Sequence, residues 1–306
     1  MSSSWQLSLT SAYYEQQFEI QYLRAKGIQF QHLFERLMGL AFKGDFLACA
    51  TWGNAGDRKN DGFLKSARTL FQVYAPEQIT ASRAIRKIKE DFCGAKQHWG
   101  PHFDKWVLVH NSERGLPPDV IEFLLNLDAE NPDITVEQWS FANLRDIFRQ
   151  ISIEDLSPWL GAAPTEETKA ALGFHTLQPV LESLANTTTP SDIPVLDVPA
   201  GKLESNALSD AVASLIRHGM AKTPLIEKFF SQWHDESLGE RIAEEFRIRY
   251  SRLRKTLPPS RIFEELQKWA GGPERGTPEH EMAVITVIAY YFERCDIYEA
   301  PRGTRL

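Results

Sequence analysis

The sequence predicts an α/β domain followed by an all-helical one. Strand-like apolar runs alternate with helical patterns across residues 45–151, an order that gives a central sheet with helices on its faces. From residue 207 onward apolar residues recur at helical spacing alone. The length, 306 residues, also exceeds a single core at roughly 100–200 residues per domain. The expected boundaries are 1–160 for the α/β domain, 161–206 for a helix and proline-rich connector, and 207–306 for the helical domain.

Residues 14–42 read as helix, broken at Gly27, with Phe30, Leu33, Phe34, Leu37 and Ala41 spaced along one buried face. After Gly44, FLACATW is an apolar β-compatible run that ends in the turn-forming GNAGDRKNDG. GFLKSA and LFQVYA follow as a strand pair closed by Pro76. Residues 80–94 carry Ile85, Ile88 and Phe92 at helical intervals, under a basic surface of Arg83, Arg86, Lys87 and Lys89. WVLVHN (106–111) reads as a buried strand and PPDVIEFLLNL (117–127) as a helix opened by proline. DITVEQWS is a further strand and FANLRDIFRQI a further helix.

In the second half, EETKAALGFHTLQPVLESLAN reads as one helix. TTTPSDIPVLDVPAG then suits an extended connector. Five helical segments complete the chain: DAVASLIRHG, TPLIEKFFSQW, ERIAEEFRIRYSRLRKTL, SRIFEELQKWAG and EMAVITVIAYYFERC.

Hydrophobic residues make up 42% and charged residues 25%, a globular balance that excludes collagen, coiled coil and wholesale disorder. No apolar run reaches the roughly 18–20 residues that span a bilayer, and MSSSWQLSLT lacks the basic start and apolar core of a secretion signal. A cytoplasmic protein without a membrane role is expected. The three cysteines, Cys49, Cys93 and Cys295, have no zinc-type spacing. A net charge of -7 argues against general coating of nucleic acid, so any polyanion contact is local. Neither a G-x-S-x-G elbow nor a G-x-x-x-x-G-K-[ST] phosphate loop occurs, which disfavours a serine hydrolase or an ATPase.

Chemistry is most legible in GDRKNDGFLKSARTLFQVYAP (56–76). An aspartate at the start of one strand and a polar residue on the next can approach at a sheet end and offer oxygen ligands to a hard cation such as Mg²⁺. Asp61 and Gln72 stand in that relation. A metal there would neutralise a phosphodiester oxygen and lower the pKa of an attacking water. Arg58 and Lys59, on the same turn, and Lys65, on the adjacent strand, offer charge to a phosphate backbone. On local physics alone GDRKNDG is simply a good turn.

This segment resembles the PD-(D/E)XK restriction-endonuclease-like superfamily, most closely its Mrr-like branch. There a GD-x-x-x-DG turn delivers the metal-binding aspartate and the next strand carries Q-x-K. Gly56, Asp57, Asp61 and Gly62 match the turn and Gln72 the glutamine. The resemblance implies a mixed central sheet flanked by helices, with Asp61 as ligand of Mg²⁺ or Mn²⁺ and Gln72 helping to position metal or water. Gln31, in Gly27-Ile28-Gln29-Phe30-Gln31, stands where the family's first helix often has a glutamate, and Glu35 is the carboxylate one turn on. Tyr74 occupies the place of the lysine that orients the water and stabilises developing charge. A phenol with a reference pKa of about 10 is a poor substitute for an ammonium. Lys65, Lys89 and Lys96 are the lysines that could swing in instead.

Residues 283–299, AVITVIAYYFERCDIYE, resemble the closing helix and tail of effectors of bacterial ABC-three-component systems, which are akin to Lamassu defence systems. In these an effector with a variable N-terminal domain works with a small middle component and an ABC ATPase of the SMC or RecN kind. The implied function is metal-dependent DNA cleavage by the effector of an antiphage complex, restrained until partners release it or bring copies together. The competing expectation is a catalytically inactive nuclease fold, kept for DNA binding or scaffolding. Two features have bland readings. The helix of residues 80–94 also holds Glu90 and Asp91, which suits a solvated mixed-charge face, and Gly100 and Pro101 break any helix that would align His98 with His102.

Overall fold

Gly27 divides the first helical stretch into α1 (Leu9–Arg24) and α2 (Ile28–Ala41). Its φ of 50° lies in the left-handed region that favours glycine, and its N–H donates to Ala75 O at 2.7 Å. The computed structural model describes residues 7–49, 59–185, 202–235, 237–272, 276–294 and 296–299. They fall into two compact units: Gln21–Asp155, and the described parts of Met1–Ile20 with Leu156–Leu306. The division lies inside α1 and α6 (Ile153–Leu160).

The Gln21–Asp155 unit is built on a five-stranded mixed sheet, β1 (Phe46–Ala48), β2 (Gly62–Leu64), β3 (Thr69–Tyr74), β4 (Lys105–His110) and β5 (Thr135–Trp139), in the spatial order 1-2-3-4-5. β1, β2 and β3 form an antiparallel meander. β3, β4 and β5 run parallel, joined through α3 (Ala81–Trp99) and α4 (Pro118–Ala129). Parallel neighbours need such crossovers, so the sheet is antiparallel where the connections are tight and parallel where helices intervene.

Strand alternation sorts the core into two layers. Phe71 projects to one face, where its ring lies 5.3 Å from Phe34 of α2, 6.4 Å from Phe46 and 5.0 Å from Trp139. Leu70, Trp106 and Leu108 bury the other face against Ala84, Ile88, Phe92 and Ala95 of α3 and Val120 and Leu124 of α4. Gly62 belongs to the first layer, and a Cβ there would sit 2.4 Å from the Phe46 ring. The glycine is needed for that close approach.

α5 (Phe141–Phe148) follows β5 as expected. α6 was not anticipated, because its eight residues contain Pro158. α3 runs on to Trp99 before a short 3₁₀ turn. The single helix expected at the start of the second half is two, α7 (Glu166–Ala171) and α8 (Phe174–Ala185), because Leu172 takes an extended ψ of 122° ahead of Gly173. The connector expected from residue 187 to 201, the end of FLACATW, Gly56, Asp57, Arg58 and Cys295 lie outside the described residues.

The second unit is helical throughout. α9 (Lys202–Ser205), α10 (Asp210–Met220), α11 (Pro224–Gln232), α12 (Leu238–Leu253) and α13 (Pro259–Gly271) surround α14 (Pro278–Glu293), which is buried on every side from Glu281 to Phe292. A helix apolar all round belongs at the centre of a bundle. α10 reaches α14 through Gly219, where a Cβ would lie 2.7 Å from Ala289 Cβ and 2.9 Å from Ile285 O.

Candidate functional site

The β2–β3 pairing sets the site. Gly62 lies opposite Phe71, so one step outward Asp61 lies opposite Gln72. Gln72 Nε2 donates to Asp61 Oδ2 at 2.6 Å, and the Val73 N–H donates to the same oxygen at 2.7 Å. Both side chains are 4% exposed. Asp61 thus takes over, with its carboxylate, the ladder N–H that β2 would have served had it run further. Gln72 Oε1 is buried without a hydrogen-bond partner among the described residues.

The two residues before Asp61 are pinned as well. Asn60 Oδ1 accepts from Gly62 N at 2.9 Å, a local turn bond of the kind asparagine favours. Lys59, at φ 63°, lays its stem on α3, where a Cβ on Gly94 would come within 2.6 Å of Lys59 Cγ. Its ammonium ends 3.0 Å from Asp91 Oδ1, and Lys87 Nζ lies 2.7 Å from the same atom. Asp91 is 1% exposed and so departs from the expected solvated mixed-charge face, on which Arg83, Arg86, Lys89 and Glu90 do stay exposed. A buried carboxylate needs such partners.

The remaining candidates are placed as follows. Gln31 Nε2 donates to Glu35 Oε1 at 2.9 Å on α2. α2 covers the Phe71 face, and Gln72, the next residue on β3, projects to the other. The structure therefore pairs Gln31 with Glu35 and Asp61 with Gln72, and among the described residues no hydrogen bond joins the two pairs. Tyr74 packs against the α3 layer, and burial pushes its phenol above the ordinary range while Arg83 pulls it back. Lys65 is exposed in the turn at the far end of β2, roughly 13 Å along the strand from Asp61 at about 3.3 Å per residue. Lys96 donates to Asn131 Oδ1 at 2.7 Å. His98 and His102 are exposed, whereas His110 is buried on β4.

Among the described residues no three of His, Cys, Asp and Glu gather to hold a metal. The donors that could serve a hard cation are the Asp61 carboxylate and the orphaned Gln72 Oε1, with water for the rest. That set fits Mg²⁺, which commonly takes one or two carboxylates and keeps several waters.

In the helical unit, the Asp296–Glu299 tail folds back onto its own domain. Arg247 Nη2 lies 2.5 Å from Asp296 Oδ1, and Arg294 Nε 3.4 Å from Oδ2. Burial raises the Asp296 carboxyl above its usual range, and the two arginines oppose that shift. Lys202, 3% exposed, donates to Phe292 O at 2.7 Å and Ile297 O at 2.6 Å. Asn206 exchanges two 2.7 Å bonds with the Glu299 backbone. Tyr298 lies 5.1 Å from the Tyr250 ring, and its hydroxyl donates to Pro259 O at 3.0 Å.

Residues 175–299, which end on this tail, match the family model of C-terminal domain 10 of the ABC-three component (ABC-3C) systems. The C-terminal domain is an ABC-three-component domain. Such a domain implies other components of the system as partners. Neither a curated protein nor a solved structure matches the chain. Within the ABC-three-component domain, Tyr291, Phe292, Ile297 and Tyr298 are at most 4% exposed, so these aromatic and tail residues close the domain's own core. Among the described residues, no helix is long and apolar enough to cross a membrane.

Sequence reasoning missed the Lys59–Asp91–Lys87 cluster. The Lys87–Asp91 spacing of four was visible, but nothing local marks a carboxylate as buried.

Proposed function

We propose that the Gln21–Asp155 unit is a metal-dependent DNA endonuclease and that the chain is the effector of an antiphage complex of the ABC-three-component kind. The observation that carries this reading is the Asp61–Gln72 pair, two oxygen-bearing side chains buried together on adjacent strands, one of them with an orphaned acceptor. The α2–β1–β2–β3–α3–β4 order, with its antiparallel meander and parallel crossover, supports a restriction-endonuclease-like arrangement around it. Mg²⁺ or Mn²⁺ held there would supply charge for a phosphodiester oxygen and acidify a water. Asp61 would anchor the cation, Gln72 would orient it or the water, and the Val73 N–H would keep the carboxylate aimed. Lys59 and Lys87 would leave a net positive charge around Asp91 on the same α3-facing layer. DNA is the proposed substrate, with a middle component and an SMC- or RecN-like ATPase as the partners that release the activity.

Two observations favour a second reading, a nuclease fold that binds or scaffolds without cutting. Tyr74 stands packed in the lysine place, and the Asp61 carboxylate already serves the backbone of β3. A plasmid-linearisation assay with Mg²⁺ or Mn²⁺ separates the two, run on the chain alone, on Asp61→Ala and on the reconstituted complex. Cleavage by the complex that Asp61→Ala abolishes supports the nuclease. DNA binding with no cleavage under any condition supports the scaffold.

A further inference from the structure

A second site lies beyond the carboxyl ends of β3 and β4. There a cleft of about 470 Å³, open to solvent, is lined by Lys26, the β3–α3 loop (Pro76, Glu77, Ile79) and the β4–α4 loop from Asn111 to Pro118. The place lies outside the carboxyl ends of two parallel strands, and the volume falls in the range of small-molecule pockets. Four charged side chains line it, Lys26, Arg114, Glu77 and Glu113, and none of the four makes an ion pair among the described residues. The walls are also held. Asn111, 2% exposed, donates its amide to Tyr22 O at 3.0 Å and to Ala25 O, and Gly27 is tied to Ala75.

We infer that this cavity binds a nucleoside monophosphate. Two cations match a phosphate monoester, whose charge near neutrality is about -1.5 to -2. Two carboxylates accept from the ring N–H and amino groups of a base or from ribose hydroxyls. Pro76, Ile79 and Leu116 provide apolar surface for the base. A zwitterionic amino acid would engage one charge of each sign and leave the other pair unmatched. The nucleotide can be free or the 5′-phosphorylated end of a strand.

The test is isothermal titration of the full chain with AMP, GMP, CMP and UMP, their nucleosides and inorganic phosphate. One monophosphate is expected to bind at one site per chain, more tightly than its nucleoside and than phosphate. Lys26→Met and Arg114→Met should each weaken it by about tenfold or more, the loss expected for a charge-assisted contact, without moving the thermal midpoint. Competition by a 5′-phosphorylated tetranucleotide assigns the site to strand ends, and its absence to free nucleotide. The inference is overturned if no monophosphate binds more tightly than phosphate, or if both cation variants bind as the native chain does. Asp61→Ala should retain this binding, so the outcome is independent of whether the chain cuts DNA.

Discussion

Gln72 and Asp61 occupy directly opposed positions at the end of an antiparallel pair, and the amide of one donates to the carboxylate of the other across 2.6 Å. The same carboxylate oxygen holds the Val73 N–H. Asp61→Ala would leave the buried Gln72 amide and the half-buried Val73 N–H unserved, at a cost of about 1–3 kcal/mol, and the Val73 amide should exchange its hydrogen faster than in the native chain. If the pair also holds a cation, Mg²⁺ raises the thermal midpoint of the native chain, EDTA reverses the gain, and Asp61→Ala responds to neither. An unchanged Val73 exchange rate would remove the structural half of this account.

Lys59 and Lys87 converge on one buried carboxylate oxygen, so each backs up the other. Lys59→Met and Lys87→Met should each be mild, because Asp91 keeps one partner. The double variant should lose more than the sum of the two, by about 1 kcal/mol or more, since Asp91 is then buried and unpaired. Urea unfolding of the four proteins closes the cycle; strict additivity would mean that solvent already serves Asp91.

Glycines at two helix positions should respond in opposite directions to alanine. At Gly219 the new methyl meets Ala289 and the Ile285 carbonyl, and overpacking of that kind costs about 1–3 kcal/mol. At Gly39, inside α2, nothing lies within 4 Å, and alanine should stabilise by about 0.5–1 kcal/mol through helix propensity. Thermal midpoints moving in the same direction would contradict the packing of α10 on α14.

His110 is buried, and both ring nitrogens suit the neutral imidazole: Nε2 lies 2.6 Å from Gln138 Oε1, and Nδ1 accepts from the Ser112 N–H at 3.2 Å. Burial lowers its pKa below the ordinary 6.5, against a smaller opposing effect of the Gln138 contact. The unfolded chain therefore takes up the proton first. The stability contribution is intact above pH 6.5 and falls as the pH drops toward the folded-state value, by at most about 1.4 kcal/mol per pH unit. Unfolding free energies of the native chain and His110→Asn at about pH 7.5 and about pH 5 should show a weaker pH dependence in the variant.

Much of the fold is legible in the residue pattern. The break at Gly27, the Asp61–Gly62 turn into β2, the β3 run from Leu70 to Tyr74 and the five late helical segments each carry a period or turn signal in a short window. Elements without such a signal went unseen or were joined. α6 is eight residues with an internal proline, and the break between α7 and α8 rests on one extended residue before Gly173.

Sequence alone determined most of the helical and strand stretches, the order of the sheet-forming runs, and the pairing of Asp61 with Gln72 as candidates, because periodicity, turn chemistry and motif spacing are properties of neighbours in the chain. Only the tertiary structure decided that the Asp61 carboxylate serves the β3 backbone, that Asp91 is buried between two lysines, and that Gln31 pairs with Glu35. It also brought Lys26, Glu77, Glu113 and Arg114 around one cavity. Those relations depend on strand register, on which sheet face a helix covers, and on loops far apart in sequence meeting at one sheet end. No local pattern encodes such distances.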